Sequence, residues 1–120
     1  GTRGGPQRKY VVIENDVHLA EANHPILRGL HDFRIKDEFY YRLDLVPPSP
    51  QFHPLLKTNL DGNDETVCWA WERPEGGRSF GYVGLHFHEN WKRPEYRRLV
   101  TQGVLWSLGL PIPEELRIEK

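Results

Sequence analysis

Thr66-Val67-Cys68-Trp69-Ala70-Trp71-Glu72, then the turn Pro74-Glu75-Gly76-Gly77, then Arg78-Ser79-Phe80-Gly81-Tyr82-Val83-Gly84-Leu85-His86-Phe87, is the stretch that sets the fold class. The first segment alternates, with Val67, Trp69 and Trp71 on one face. The Pro-Glu-Gly-Gly step reverses the chain, and Arg78 to Phe87 returns as a second β-prone run, so the two pair as a hairpin. Beyond Trp91, Pro94 suits the first position of a helix. Tyr96, Leu99, Val100, Gly103, Val104 and Ser107 follow with 3.6-residue spacing, and Trp106 flanks that stripe. Gly109 and Pro111 stop the helix.

Upstream of the hairpin the chain reads as short strands. Tyr10-Val11-Val12-Ile13 is β-prone and is ended by Asn15-Asp16. His24-Pro25 opens a short helical turn closed by Gly29. Phe33 to Lys36 and Phe39 to Val46 look extended, and Pro47-Pro48-Ser49-Pro50 ends them. Pro54 to Asn59 is a further strand before the turn Asp61-Gly62-Asn63. Residues 1–9 read as a lead-in, 10–112 as one domain and 113–120 as a tail. Several strands and one closing helix make this chain, taken alone, a β-rich α+β fold. Without βαβ alternation it builds no parallel sheet by itself.

Composition bounds the partners. The 120 residues are 38% hydrophobic and 28% charged, with a formal net charge of -1, which fits one soluble globular domain and gives no nucleic-acid footprint. No stretch approaches the ~20 apolar residues of a membrane span, and no signal-peptide pattern stands out. Cys68 is the single cysteine, so an intramolecular disulfide and a multi-cysteine zinc site are excluded. The chain contains no methionine, which points to a processed chain or an excised segment. The compartment is not readable, whether cytoplasmic or exported.

The densest polar constellation is Leu85-His86-Phe87-His88-Glu89-Asn90-Trp91. On a persisting strand His86 and His88 share a face, a spacing by which imidazoles reach one substrate or one metal ion such as zinc. The competing reading makes both hydrogen-bonded structural histidines. Asp37-Glu38 is the second constellation, and on a strand the two acids point to opposite faces. His24, before Pro25, caps or pins its loop. Trp69, Trp71 and Trp91 are core or pocket wall, and aromatic walls suit sugar rings.

Together these residues resemble the ThuA-like family. His24-Pro25-Ile26 with Gly29-Leu30, then Asp37, Glu38 and Tyr40, then Val67, Trp69, Gly77 and Arg78, then His86 and Trp91, then Trp106 and Gly109 follow its order and spacing. Leu85 stands where the family has glycine before the histidine. The resemblance implies the C-terminal half of a flavodoxin-like domain, of the class I glutamine amidotransferase-like superfamily, with residues before Gly1 supplying the parallel strands. It implies a bacterial protein of carbohydrate utilisation, acting on trehalose or a related sugar. Its pocket would lie around His86, with His88, Asp37 and Glu38 as catalytic candidates and His24, Tyr40, Trp69 and Trp91 as substrate contacts. His86 and His88 are the candidate metal ligands. Phe87-His88-Glu89-Asn90 sits where amidotransferases carry a histidine and an acid, but Asn90 replaces the acid, so that activity is not expected. The alternative is a non-catalytic carbohydrate- or protein-binding module. Trp69, Trp71, Phe80 and Tyr82 are expected to be left bare, so that the chain needs a second copy or a preceding half-domain to cover them.

Overall fold

The computed structural model describes residues 8–43, 45, 47 and 49–113. The expected lead-in falls mostly, and the tail almost wholly, outside them, as does Val46. Lys9, assigned above to the lead-in, opens the first strand. Five strands, β1 (Lys9–Leu19), β2 (Phe33–Tyr41), β3 (Phe52–Leu60), β4 (Asn63–Glu72) and β5 (Arg78–Tyr82), precede one helix, α1 (Pro94–Ser107). They form a single antiparallel sheet of order β2-β1-β3-β4-β5. This is the β-rich α+β architecture, closed by a helix.

The sheet curls because β1 shares its length unequally. It pairs with β2 from Lys9 to Val17 but with β3 only from Val17 to Leu19. The β1–β2 pair therefore swings away, and β2 meets β4 across the core. Asn15-Asp16 does not end β1, because both residues hold ladder positions opposite Ile35 and Arg34. Likewise β2 is one strand rather than two. Its alternation buries Ile35, Asp37, Phe39 and Tyr41 and turns Arg34, Lys36 and Tyr40 outward. Pro54 is tolerated inside β3 because β1 pairs no residue before Leu56 and the β4 register shifts there. Asp61 and Gly62 take the positive φ values, 57° and 82°, of a two-residue hairpin turn.

The hairpin expected from the sequence is present, but β5 stops at Tyr82. His86 and His88 are therefore not neighbours on one strand face. His86 lies in the connection after β5, and His88 opens the 3₁₀ turn His88–Lys92. The hairpin is also well covered. Phe80 packs on α1 at Gly103, Tyr82 bonds to Tyr96, and Trp69 is 7% exposed beneath Gly81 on the opposite face. Trp69 is therefore not bare, and α1 lies across the face that Phe80 and Tyr82 present, while Trp71 is half-buried. Among the described residues the exposed large apolar ones are instead Tyr10, Val12, Ile13, Tyr40, Trp91, Val104, Leu108 and Leu110.

The helix buries Tyr96, Leu99, Gln102, Gly103 and Trp106. Trp106 belongs to this face, whereas Val104 is half exposed. Gln102, fully buried, donates to the carbonyls of Ile26 and Arg28, fixing the 3₁₀ turn Pro25–Leu27 against the helix. Gly103 allows the close approach to β5, since a Cβ there would sit 2.7 Å from the Phe80 ring. Gly103→Ala is expected to destabilise the fold by about 1 kcal/mol, overpacking outweighing the helix-propensity gain. Urea unfolding checks this, and the cost should vanish in a Phe80→Leu background, where the ring is gone.

Candidate functional site

Asp37 is fully buried, and each of its oxygens accepts two hydrogen bonds. Oδ1 takes the backbone N–H groups of Glu38 (2.8 Å) and His86 (3.0 Å). Oδ2 takes the N–H of Leu85 (2.7 Å) and the Tyr96 hydroxyl (2.7 Å). A carboxylate has about four acceptor positions, so this one is fully engaged. Tyr82 donates in turn to the Tyr96 hydroxyl at 2.5 Å. Burial drives the pKa of both tyrosines upward, and for Tyr96 the neighbouring Tyr82 and Asp37 push the same way. Both phenols stay protonated and serve as donors.

These bonds shape the chain that carries His86. Leu85 adopts φ 70°, the left-handed region that costs an L-residue roughly 1–2 kcal/mol. Here the position that the family resemblance fills with glycine is held open by the Asp37 carboxylate. Gly84 permits the approach, since a Cβ there would lie 2.8 Å from Asp37 Oδ2. Asn90, 8% exposed, donates its side-chain amide to the Lys36 carbonyl and ties the following turn to β2.

The adjacent acid faces the other way. Glu38 Oε1 lies 3.4 Å from His86 Nδ1, with the Glu38 side chain 15% and the His86 side chain 54% exposed. Tyr40, two residues along the same strand face, has its hydroxyl beside Glu38, whose pull on the phenolic proton and whose charge raise the phenol's pKa. Tyr40 also meets the edge of Tyr10, ring centres 5.9 Å apart. Asp37 and Glu38 thus reach the same histidine from opposite faces of β2, one through its backbone and one through its ring. Alternation alone gave only the opposite directions; the chain after β5 meets the middle of β2 and reaches both.

The other sequence candidates are dispersed. His88 and Trp91 are exposed on the 3₁₀ turn beyond His86. Trp69 lies under Gly81. His24 caps the Pro25–Leu27 turn, its Nδ1 accepting from the Ile26 N–H, and its ring meets Trp106. Trp106 is ten residues along α1 from Tyr96, about 15 Å by helix rise, so His24 belongs to the opposite end of the helix. Among the described residues no group of three His, Cys, Asp or Glu side chains gathers to hold a metal ion. Clefts that open on the surface among the described residues include two of note. One, of about 330 Å³, is lined by residues that include His31, Asp32, Phe33, Glu95 and Arg98. The other, of about 400 Å³, is lined by residues that include Leu43, Phe52, Pro54 and Lys57. Neither includes His86.

Sequence reading passed over Tyr82, Tyr96 and a second polar cluster, Glu21, His53 and Glu72. His53 Nδ1 lies 3.1 Å from Glu21 and its Nε2 2.9 Å from Glu72. The partners are 32 and 19 residues away, and no local motif announces such a contact.

The sequence model of the ThuA family, described as trehalose utilisation, matches residues 3–107. The chain belongs to this family. The match begins well before His24 and takes in β1 as well as the hairpin and helix. No curated protein and no solved structure matches the chain significantly.

Asp37→Asn replaces an acceptor with a donor against two donors, so a loss of about 3 kcal/mol is expected. Urea unfolding measures it. Tyr96→Phe, which removes one of the four bonds, should cost about 1 kcal/mol. In Asp37→Asn the Leu85 and His86 amides should also lose their protection from hydrogen exchange.

Proposed function

We propose that this ThuA-family chain serves carbohydrate utilisation, of trehalose or a related sugar, through a proton-transfer site made of Tyr40, Glu38 and His86. The observation that carries the reading is the Glu38 carboxylate set between the Tyr40 hydroxyl and His86 Nδ1, on a surface open to solvent. In the tautomer protonated at Nδ1, beside Glu38, Nε2 keeps its lone pair free for the role of a general base. Asp37 acts here as a positioning residue, fixing the His86 backbone rather than meeting substrate. Tyr40 and Trp91, each exposed near the imidazole in sequence or space, offer ring faces to a sugar. His88 supplies a second exposed imidazole two residues on.

One wall of a site is thus described. The opposing wall comes, in this reading, from a preceding part of a flavodoxin-like domain or from a second copy of the chain. Exposed Tyr10 and Val12, opposite Tyr40 and Glu38 on the neighbouring strand, support a covered surface there. No helix among the described residues is long and apolar enough to cross a membrane. The alternative, a non-catalytic binding module, draws support from the Tyr10–Tyr40 ring pair beside the histidine.

Titration with trehalose and glucose, followed by NMR of the His86 and Tyr40 rings together with an assay of sugar turnover, tests the reading. Both rings should shift on adding sugar, and His86→Ala should lower turnover by about 10²–10⁴-fold while leaving binding in place. Binding without turnover in the unaltered protein, lost in Tyr40→Ala, selects the binding module. Rings indifferent to every sugar overturn both.

A further inference from the structure

At the end of the molecule opposite His86, a histidine is held between two carboxylates. His53 on β3 is 18% exposed at its side chain. Its Nδ1 faces both Glu21 oxygens, at 3.1 and 3.2 Å, and its Nε2 faces Glu72 at 2.9 Å. A neutral imidazole has one N–H and one lone pair. In that form one of the two carboxylates would face a lone pair at about 3 Å, which is repulsive; in the protonated form both ring nitrogens donate. The geometry therefore suits the cation.

The groups facing His53 are Glu21 from the connection after β1, Glu72 at the end of β4 and His24 from the 3₁₀ turn; Arg78 of β5, lying over Trp106, adds a positive charge that acts on His24 and Glu72. His24, its ring 5.0 Å from that of His53, is in the opposite state. It accepts the Ile26 N–H with Nδ1, so that nitrogen must be unprotonated. Burial, then the nearby His53 charge, lower the His24 pKa to about 4. Burial works against the His53 cation as well, but the hydrogen bonds and charges of Glu72 and Glu21 outweigh it and raise its pKa. The bond to His53 holds Glu72 below the usual carboxylate range.

What this cluster joins is specific. Glu21 opens the 20–31 connection, which carries the Pro25–Leu27 turn, the buried Ile26 and Leu27, and the carbonyls that receive Gln102 from α1. Glu72 closes the strand at the centre of the hairpin. We propose that Glu21, His53 and Glu72 form a proton-operated clasp that pins the 20–31 connection to the end of the sheet and releases it when His53 loses its proton. A raised folded pKa gives stability that is complete below the unfolded value, about 6.5, and is lost as pH rises through the folded pKa. His24 has the opposite sign: its contribution is complete above about 6.5 and is lost as pH falls towards 4. The connection is accordingly firmest near pH 6.5 and loosens on both sides, through different residues.

Ring ¹⁵N NMR of His53 reads the proton directly, and hydrogen exchange at the Leu27 and Leu30 amides, corrected for intrinsic rate, reads the connection. His53 should titrate above 6.5, and protection at Leu27 and Leu30 should fall by up to about tenfold per pH unit between 6.5 and that midpoint and level off beyond it. The Leu85 and His86 amides at the other end should not follow. Glu21→Gln, at an exposed carboxylate that leaves the core untouched, should move the His53 midpoint and the loss of protection down together. His24→Asn keeps a capping acceptor and should remove the part of the acid limb that runs from about 6.5 towards 4, leaving the loss that follows when Glu72 is protonated. An ordinary His53 midpoint overturns the clasp. So does protection indifferent to the His53 titration, a Glu21→Gln variant in which the two do not move together, or an alkaline limb that disappears with His24.

Discussion

A single buried carboxylate organises the half of the molecule that carries the candidate site. Asp37 sits on β2, yet three of its four donors come from elsewhere: two backbone amides after β5 and a hydroxyl on α1. An ion removed from water is tolerated only when its acceptor positions are filled. That condition fixes the surrounding chain. It draws the segment after β5 onto the middle of β2, stabilises the left-handed Leu85, and orients the first turn of α1 through Tyr96. The exposed Glu38–His86 pair is a consequence, since the same strand presents Glu38 on its outer face where the histidine arrives.

The helix spans two polar centres of different character. At its N-terminal end one buried carboxylate is met by four neutral donors. At its C-terminal end His24, His53, Glu21, Glu72 and Arg78 are gathered around Trp106. There the balance depends on protons, because two imidazoles at 5.0 Å hold opposite states. Between the two centres lies the apolar contact of Leu99, Gly103 and Phe80. The rigid end carries the residues proposed for chemistry, and the titratable end secures the connection between β1 and β2.

Much of this was legible in the chain itself. The hairpin around Pro74–Gly77, the Asp-Gly turn, the helix from Pro94 and the capping role of His24 are local features. They depend on the period of apolar residues and on glycine and proline geometry within a few positions. The order of motifs from His24 to Gly109 carried the family. The pairing of Asp37-Glu38 with His86 was only half legible. Alternation gave the opposite directions of the two acids, but not the crossing chain that lets both meet one residue.

What the tertiary structure alone decided are the relations between distant residues. The strand boundaries moved where a neighbour supplied or withheld hydrogen bonds: β1 ran through Asn15-Asp16 because β2 paired with it, and β5 ended at Tyr82 because Asp37 drew the chain away. Gln102 is polar by sequence and fully buried in the fold, its amide meeting two carbonyls more than 70 residues distant. His53 carries no motif, and its partners converge only when β1, β3 and β4 share a sheet. Local sequence determines backbone preference, because propensity acts over a few residues. The environment of a charge is set by whatever the folded chain brings within about 4 Å of it, and that distance is blind to separation along the chain.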